Sequence, residues 1–509
     1  MKIRVIMNNI TGTIRSHMAI TLMVAAAWHA TPAKAQTLEG KWVADWRVLD
    51  NGEKNRLFLD LKQNDAKITG TATTIGHRYQ ADGTVTGTRF EISFSKGGNP
   101  RKLAGEIAGE QLNLKYEGAA LVAKRATPED EYPAYEKLPL PPLKDLPDNG
   151  LVKTPPMGWN SWNKFHRGVT DAIVREMSDA MVTSGMRDAG YIYLCIDDTW
   201  EGVRDPEGNL GSNDKFPDMK ALADYVHSKG LKLGIYSSPG PRTCADYPGS
   251  YGYEQQDANT FAAWGVDYLK HDWCGARMIY GDKDQQAVYQ KMGEALQATG
   301  RPIVYSICNY GVAKVETWGA KAGGNLWRTT GDISDTWKSM RANIERQAPL
   351  ASFAGPGRWN DPDMLEVGNG GMTDTEYRTH MSLWAITAAP LIAGNDIRNM
   401  TPAIKEILLN REVIAVNQDV LGKQATPRKD GTLETWVKPL ADGSVAVAVV
   451  NLGESEADVV VKVSDLGLAG NVSSARDLWA HADVSFRDGV YAQKVASHDV
   501  LMLRVGSKP

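Results

Sequence analysis

The spacing of apolar residues changes twice along the chain and divides it into three regions. From 38 to 125 apolar and polar residues alternate, as in the run from Leu57 to Leu61. This period of two predicts a small antiparallel β domain, either a barrel or a sandwich. The domain has no cluster of titratable residues, and a structural or dimerising role fits it as well as carbohydrate binding. We interpret four glycines as turns between its strands: Gly52, Gly70, Gly83 and Gly109.

A proline-rich stretch, 126–153, follows and predicts an extended linker on the protein surface. From 154 to 422 short apolar stretches alternate with amphipathic segments, which is the pattern of a parallel sheet with helical crossovers. The candidate strands are MGWNSW, YIYLCIDD, KLGIYSS, VDYLKHD, RPIVYSIC, NLWRTTGD, GRWNDPD and APLIAGND. The amphipathic segments predict helices over 171–189, 218–229, 256–264 and 285–299. This series of strands and helices predicts a closed (β/α)₈ TIM barrel rather than an open sheet.

The period of two returns in the last region, 423–509, where Val445, Val447 and Val449 occupy every second position. This pattern predicts a second antiparallel domain, a β-sandwich packed against the barrel. The expected fold is therefore multidomain, with a central α/β TIM barrel between an all-β N-terminal domain and a C-terminal β-sandwich.

The first residues have the pattern of a secretory signal peptide over 1–35. Basic residues precede an apolar run from 18 to 28, and a small-x-small cleavage pattern follows at Ala33 and Ala35. An amphipathic helix or a membrane anchor would be the alternatives, but the run is short for a bilayer span. We therefore expect an exported protein, periplasmic or secreted, with no membrane span in the mature chain.

Composition narrows the classes of function. The formal net charge is -4, with 42% hydrophobic and 23% charged residues, as in soluble globular proteins. This charge gives no basic field, so we expect no nucleic-acid partner. Export would permit disulfides, and the four cysteines make one pair plausible. No pattern in the sequence indicates an oligomeric state.

Carboxylates end several of the candidate barrel strands. Asp197 and Asp198 end the second, Asp272 the fourth, Asp332 the sixth and Asp363 the seventh. Because the carboxyl ends of barrel strands meet at one mouth, we expect these groups around a single substrate. Retaining cleavage of a glycosidic bond needs two carboxyl groups, one as nucleophile and one as acid and base. Asp272 and Asp332 are our candidates for this pair.

Two basic residues strengthen this interpretation. Lys270 lies two residues before Asp272, so both side chains face the same side of the strand, and an ammonium there would keep Asp272 ionised. Arg328 could bind a substrate hydroxyl or the region of the nucleophile. Any single carboxylate here could instead cap a helix or a turn. No metal-ligand spacing or nucleotide-binding motif occurs, so we expect neither a metal nor a cofactor. Tryptophans in the same segments favour a sugar site: Trp159, Trp162, Trp200, Trp273, Trp327 and Trp359.

The segments TPPMGWNSW, YLCIDDTW, GIYSS, VDYLKHDWC, WRTTGDISDTWKS and PGRWNDPDMLEVGNGGMT resemble family 27 glycoside hydrolases, the α-galactosidase and α-N-acetylgalactosaminidase family. The resemblance implies Asp272 as nucleophile, Asp332 as acid and base, and a disulfide between Cys244 and Cys274. Many members read SLCEWG where this chain reads SICNYG, so the resemblance implies that Asn309 and Tyr310 lie beside the 2-position of the sugar. The implied galactose subsite comprises Trp162, Asp197, Asp198, Tyr236, Lys270, Arg328, Asp363 and Met364.

These observations predict an exported, exo-acting, retaining α-galactosidase that acts on a galactosyl oligosaccharide or polysaccharide. A β-L-arabinopyranosidase or an α-N-acetylgalactosaminidase of the same family is the nearest alternative. A glycan-binding protein built on an inactive barrel is the alternative from another class. Retention of Asp272, Asp332, Lys270 and Arg328 together argues against it, because a decayed site would lose at least one of them.

Overall fold

The computed structural model describes residues 37–74, 77–95, 100–116, 118–130, 135–468, 472 and 474–506 of the chain. The predicted signal peptide lies outside these residues. Within them, no helix combines the length and the apolar character that crossing a membrane requires.

The N-terminal domain is a closed barrel of eight antiparallel strands. Strand β1 pairs with both β2 and β8, which closes the ring and distinguishes the domain from a sandwich. Leu57, Leu59 and Leu61 point into its core, as their alternation predicts. Its strands are β1 (Gly40–Val48), β2 (Lys54–Asn64), β3 (Lys67–Thr74), β4 (His77–Thr86), β5 (Arg89–Ser95), β6 (Arg101–Ala108), β7 (Gln111–Tyr116) and β8 (Ala119–Arg125).

Two of the glycines predicted as turns lie inside strands instead. Gly70 is in β3 and Gly83 is in β4, each paired within the sheet. A Cβ atom at Gly70 would overlap the carbonyl oxygen of Asp60, and one at Gly83 would overlap that of Glu91. Close approach of neighbouring backbones in a small, strongly curved barrel therefore explains these glycines better than chain reversal does.

The linker after the N-terminal barrel has no helix or strand between 135 and 153 and lies along the outside of the central domain. The backbone N–H of Leu146 donates to the carbonyl of Lys321 over 2.8 Å. Lys137 pairs with Asp284 at 2.7 Å. These contacts fix the extended chain on the surface that it crosses.

The central domain contains all eight predicted barrel strands, which run parallel in the order β17, β16, β15, β14, β13, β10, β9 and β18. Leu365, just after β17, bridges in parallel to Ala393 in β18, which joins the two ends of the sheet. Strands β11 and β12 form a separate hairpin. The strands are β9 (Met157–Asn160), β10 (Tyr193–Cys195), β11 (Glu201–Arg204), β12 (Leu210–Ser212), β13 (Lys232–Ser237), β14 (Tyr268–Asp272), β15 (Val304–Cys308), β16 (Leu326–Arg328), β17 (Trp359–Asp361) and β18 (Leu391–Ala393).

The helices of this domain surround the sheet, and several begin at a side chain that accepts from the first turn. Thr170 accepts from the backbone N–H of Ile173, and Thr373 and Glu376 form a reciprocal capping box. The segment predicted as one helix over 171–189 is two helices, because Gly185 adopts a left-handed φ of 89° between them. The helices are α1 (Trp162–Phe165), α2 (Asp171–Thr183), α3 (Met186–Ala189), α4 (Met219–Ser228), α5 (Glu254–Trp264), α6 (Gln285–Ala298), α7 (Trp337–Gln347), α8 (Asp374–Ile386), α9 (Pro402–Leu409) and α10 (Arg411–Asn417).

The C-terminal domain is the predicted antiparallel sandwich, with one six-stranded and one two-stranded sheet. Strand β21 is buried along its whole length, because Val447 and Val449 face the sandwich core while Ala446 and Ala448 face the central domain. Its strands are β19 (Thr426–Asp430), β20 (Leu433–Pro439), β21 (Val445–Asn451), β22 (Ala457–Lys462), β23 (Ser474–Asp477), β24 (Ala482–Ser485), β25 (Val490–Val495) and β26 (Val500–Val505).

Candidate active site

A cavity of about 680 Å³ lies at the carboxyl ends of the central barrel strands. Most of the residues predicted for the site come from six different strand ends and meet here, although they span some two hundred positions of the chain. Those that line the cavity are Trp162, Asp197, Asp198, Tyr236, Cys244, Lys270, Asp272, Arg328, Asp332, Asp363 and Met364.

Asp272 is the last residue of β14 and is almost fully buried at the cavity wall. The hydroxyl of Tyr310 donates to its Oδ1 over 2.6 Å. Burial raises the pKa of Asp272 to about 6, and the charge of Lys270 and the hydrogen bond from Tyr310 act in the opposite direction. The carboxyl is therefore largely ionised at neutral pH, as a nucleophile must be, and it becomes protonated in moderately acidic solution.

Lys270 occupies the same face of β14 but bonds directly to a different carboxylate. Its Nζ donates to Oδ2 of Asp197 over 2.8 Å, and Asn160 donates to the same oxygen over 2.9 Å. Lys270 thus neutralises Asp197 by contact and acts on Asp272 through its field. This arrangement refines the sequence interpretation, which assigned the ammonium to Asp272 alone.

Asp198 is held by backbone N–H groups on both oxygens. Thr199 donates to Oδ1 and Ala245 to Oδ2, each over 2.7 Å. Burial nevertheless raises the pKa of Asp198 to about 7. Since its oxygens are fixed by the backbone, Asp198 has a rigid orientation at the cavity wall.

Arg328 links the other two carboxylates of the site. Its Nη2 donates to Oδ1 of Asp332 over 3.1 Å, and its Nη1 lies 3.1 Å from Oδ1 of Asp363. The side chain of Asp332 is 76% exposed, whereas those of Arg328 and Asp363 are buried. Asp332 is therefore accessible at the mouth of the cavity, where a leaving group and then water can reach it, while Arg328 anchors one of its oxygens.

Asp363 has an unusual backbone conformation, with a left-handed φ of 89°. Its Oδ2 accepts from the backbone N–H of Ile333 and its carbonyl accepts from Trp384, each over 2.8 Å. A non-glycine residue keeps such a conformation only where its surroundings fix it, which is common in functional sites.

The disulfide implied by the resemblance is present. Cys244 and Cys274 are bonded, with Cα atoms 5.0 Å apart and a sequence separation of 30 residues. The bond links the loop after β13 to the segment directly after Asp272. Cys195 and Cys308 are free and buried.

The prediction for Asn309 is wrong. Its side chain is fully buried outside the cavity, where the amide donates to Oε1 of Gln285 and to the carbonyl of Val312, each over 2.9 Å. Tyr310, the other residue expected beside the 2-position, does line the cavity. Tyr310 has a left-handed φ of 61°, so the chain reverses just after β15 and strict alternation no longer tells which side chain faces inward.

Of the six tryptophans expected at the sugar site, only Trp162 lines the cavity. Trp159, Trp200, Trp327 and Trp359 are fully buried, and each indole N–H donates within the protein. They are core residues that hold strand ends, which is the commoner role of a buried tryptophan.

Sequence reasoning did not find a polar wall of the cavity formed by Asn163, Glu366 and Asn369. The amide of Asn163 donates to Oε1 of Glu366, and that of Asn369 to Oε2 over 2.6 Å. Burial raises the pKa of Glu366 to about 7. These residues lie three to eight positions beyond β9 and β17, so a search extended past the strand ends would have included them.

Comparisons with known proteins agree with this geometry. Residues 154–419 match the family model described as α-galactosidase A, and 430–505 match the α-galactosidase C-terminal β-sandwich domain. The chain is 51% identical over 359 residues to an α-galactosidase from Cyamopsis tetragonoloba, covering 69% of this chain and 86% of that protein.

Solved structures give the same result. The α-galactosidase I of Mortierella vinacea superposes with a TM-score of 0.68 at 36% identity, covering 70% of this chain and 98% of its own. A candidate α-galactosidase from Bacteroides fragilis NCTC 9343 superposes with a TM-score of 0.67 at 33% identity, covering 94% of this chain and all of its own. Because this match covers 94% of the chain, it must include most of the N-terminal barrel as well. The chain therefore belongs to the α-galactosidase family, glycoside hydrolase family 27.

Proposed function

We propose that the protein is a retaining exo-α-galactosidase that hydrolyses terminal α-linked D-galactose from an oligosaccharide or polysaccharide by double displacement. The observation that supports this most strongly is the pairing, in one cavity, of a buried carboxylate on β14 with an accessible carboxyl group anchored by Arg328. Relatives with similar sequences and folds are α-galactosidases.

In the first step the ionised carboxylate of Asp272 attacks the anomeric carbon as the bond to the leaving oxygen breaks, and Asp332 donates its proton to that oxygen. In the second step water attacks the same carbon, Asp332 accepts its proton, and the ester bond to Asp272 breaks. Each step inverts the anomeric centre, so the product is α-galactose. Asp197, Asp198 and Asp363 are available to accept hydrogen bonds from sugar hydroxyls.

Selectivity at C2 follows from the groups around the nucleophile. C2 is bonded directly to the carbon that Asp272 attacks, so substituents at C2 lie close to whatever contacts Asp272. Those neighbours are Tyr310, through its hydroxyl, and the disulfide between Cys244 and Cys274. We expect these groups to leave too little room for an acetamido group, which would favour galactose over N-acetylgalactosamine.

A panel of nitrophenyl α-galactoside, α-N-acetylgalactosaminide and β-L-arabinopyranoside tests the proposal. We expect kcat/KM to favour the α-galactoside over the acetamido sugar by about 100-fold or more, or ~2.7 kcal/mol at the transition state. Tyr310→Ala should narrow that ratio. Equal rates on all three substrates, or binding of the sugars without hydrolysis of any, would overturn the assignment.

We also propose export to the periplasm or the medium, on the basis of the signal-peptide pattern over 1–35. The disulfide beside the active site supports an oxidising compartment. Amino-terminal sequencing of the protein from its native host should begin near Gln36. An intact amino terminus in a cytoplasmic fraction would refute this proposal.

A further inference from the structure

The loop that follows β13, residues 241–250, contacts the cavity at two points. Cys244 lines the cavity and is bonded to Cys274, two residues after the proposed nucleophile. The backbone N–H of Ala245 holds Oδ2 of Asp198 over 2.7 Å. The conformation of the 241–250 loop therefore fixes both a wall of the sugar site and the orientation of one of its carboxylates.

The other side of this loop is covered by the N-terminal barrel, through the hairpin that joins β1 to β2, residues 49–55. Leu49 packs with Ala245 and Tyr247 in a small buried cluster. The hydroxyl of Tyr247 donates to Oδ2 of Asp50 over 2.9 Å. These contacts join residues nearly two hundred positions apart.

Charged and amide groups add to this contact. Glu53 in the hairpin forms an ion pair with Arg242 in the loop. Asn55, fully buried, donates its amide to Oδ2 of Asp246. Asp246 has a left-handed φ of 75°, a conformation that a non-glycine residue keeps only when its surroundings fix it. The bond from Asn55 is one of the interactions that fix it.

The N-terminal barrel also reaches the second half of the disulfide. Strand β4 lies against the short turn 275–278, which begins directly after Cys274. The barrel thus contacts both segments that the disulfide joins, and both border the proposed nucleophile.

We propose that the N-terminal β-barrel is a positioning domain for substrate binding, which holds the 241–250 loop in the conformation that orients Asp198 and Cys244. This role rests on the proposed function of the same cavity. It differs from a purely structural appendage, which would affect stability alone. It also differs from a carbohydrate-binding role, which would affect the hydrolysis of polymeric substrates and leave the hydrolysis of a small nitrophenyl galactoside unchanged.

The test compares the full-length Glu53→Ala/Asn55→Ala variant with a control of the same residue types at exposed positions, Glu106→Ala/Asn113→Ala. The control changes the same residue types at paired positions on β6 and β7 of the same barrel. For each protein we would measure kcat and KM for nitrophenyl α-galactoside, the dissociation constant of galactose by calorimetry, and Tm.

We expect the hairpin variant to raise KM and the galactose dissociation constant by about tenfold with a smaller change in kcat. The control should leave both constants within about twofold of the wild type. If the double variant does not fold, Glu53→Ala alone, at a half-buried site, should raise KM in the same direction. A hairpin variant with lowered Tm and wild-type KM and galactose affinity would overturn the proposal. A wild-type protein that binds galactose but hydrolyses no α-galactoside would refute the proposed function, while the galactose affinities would still test the positioning role.

Discussion

At the scale of single residues, the two carboxyl groups proposed for catalysis differ mainly in their exposure. Asp272 is almost fully buried at the cavity wall, whereas the side chain of Asp332 is 76% exposed and tethered by Arg328. A buried nucleophile is held in a fixed position beside the sugar, and an exposed acid can exchange its proton in each half-reaction. The burial of each group therefore agrees with the role proposed for it.

Asp332→Ala should lose most activity on substrates whose leaving group is basic and must be protonated as it departs. Single-turnover glycosylation of an alkyl α-galactoside should fall by about a thousandfold or more, whereas a dinitrophenyl α-galactoside should lose much less. Stopped-flow measurement of both substrates checks this. Equal losses with the two leaving groups would mean that another residue is the acid.

Tyr310→Phe should shift the acidic limb of the pH profile. Burial raises the pKa of Asp272 to about 6, and the hydrogen bond from Tyr310 lowers it. Since the nucleophile must be ionised, kcat/KM should fall as pH decreases through about 6 in the wild type, and the limb should move to higher pH in Tyr310→Phe. Tyr225→Phe, which removes a phenol that donates to the distant Asp179, is the control and should not move the limb. An unmoved limb in Tyr310→Phe would show that this bond does not tune the nucleophile.

The sequence was sufficient to predict cavity residues that lie at a barrel strand end or within two positions of it. Asp197, Asp272 and Arg328 converge because the spacing of apolar residues and the parallel barrel topology are enough to place them at one mouth. It failed for Asn309, because the chain reverses at Tyr310 with a backbone conformation that the spacing of apolar residues does not encode. It also missed Glu366, whose partners come from two separate segments, Asn163 from α1 and Asn369 from the loop after β17.

At the scale of elements, the loops after β13 and β14 form one unit because the disulfide between Cys244 and Cys274 joins them. The strands are short and deeply buried, so they appear in the sequence as apolar stretches between the amphipathic helices. Their positions along the chain were therefore predictable. The loops between them are irregular, and their positions depend on the disulfide, on caps and on contacts with other domains.

Replacing both disulfide cysteines, Cys244→Ala/Cys274→Ala, should lower the free energy of unfolding by about 3–4 kcal/mol in the chain-entropy model. Denaturant titration should show this loss, and a reductant should lower the stability of the wild type while leaving the variant unchanged. Peptide mapping without reduction should find the pair Cys244 and Cys274, with Cys195 and Cys308 as thiols. Four free thiols in protein purified from an oxidising compartment would contradict the pairing.

At the scale of the whole molecule, both β domains are joined to the central barrel by buried polar contacts. Arg341 in α7 forms a bidentate pair with Glu434 in β20, at 2.9 and 3.0 Å, and both side chains are buried. The N-terminal barrel is joined through Asn55 and Asp246. The spacing of apolar residues predicted the three domains. These contacts pair residues far apart in sequence, so they are known only from the folded chain.

The active site should also reduce the stability of the molecule. Asp272 binds its proton more tightly in the folded state, at a pKa of about 6 against an ordinary value of 3.8, so its contribution to stability declines as pH rises between those values. Asp272→Asn should therefore raise the free energy of unfolding at pH 7 by up to about 3 kcal/mol, and the gain should disappear below pH ~4. Calorimetry at both pH values measures this. A variant less stable than the wild type at pH 7 would contradict it.

The most direct test of the proposed mechanism is the product that Asp272→Ala forms from an activated α-galactoside in the presence of azide. Removal of the nucleophile should lower hydrolysis by several orders of magnitude, about 10⁴-fold or more, in a protein that remains folded. Azide can then enter the vacated space and attack the anomeric carbon from that face. NMR should identify β-galactosyl azide, with activity partly restored. Near-normal hydrolysis by the variant, or formation of the α-azide, would contradict the assignment of Asp272 as the nucleophile.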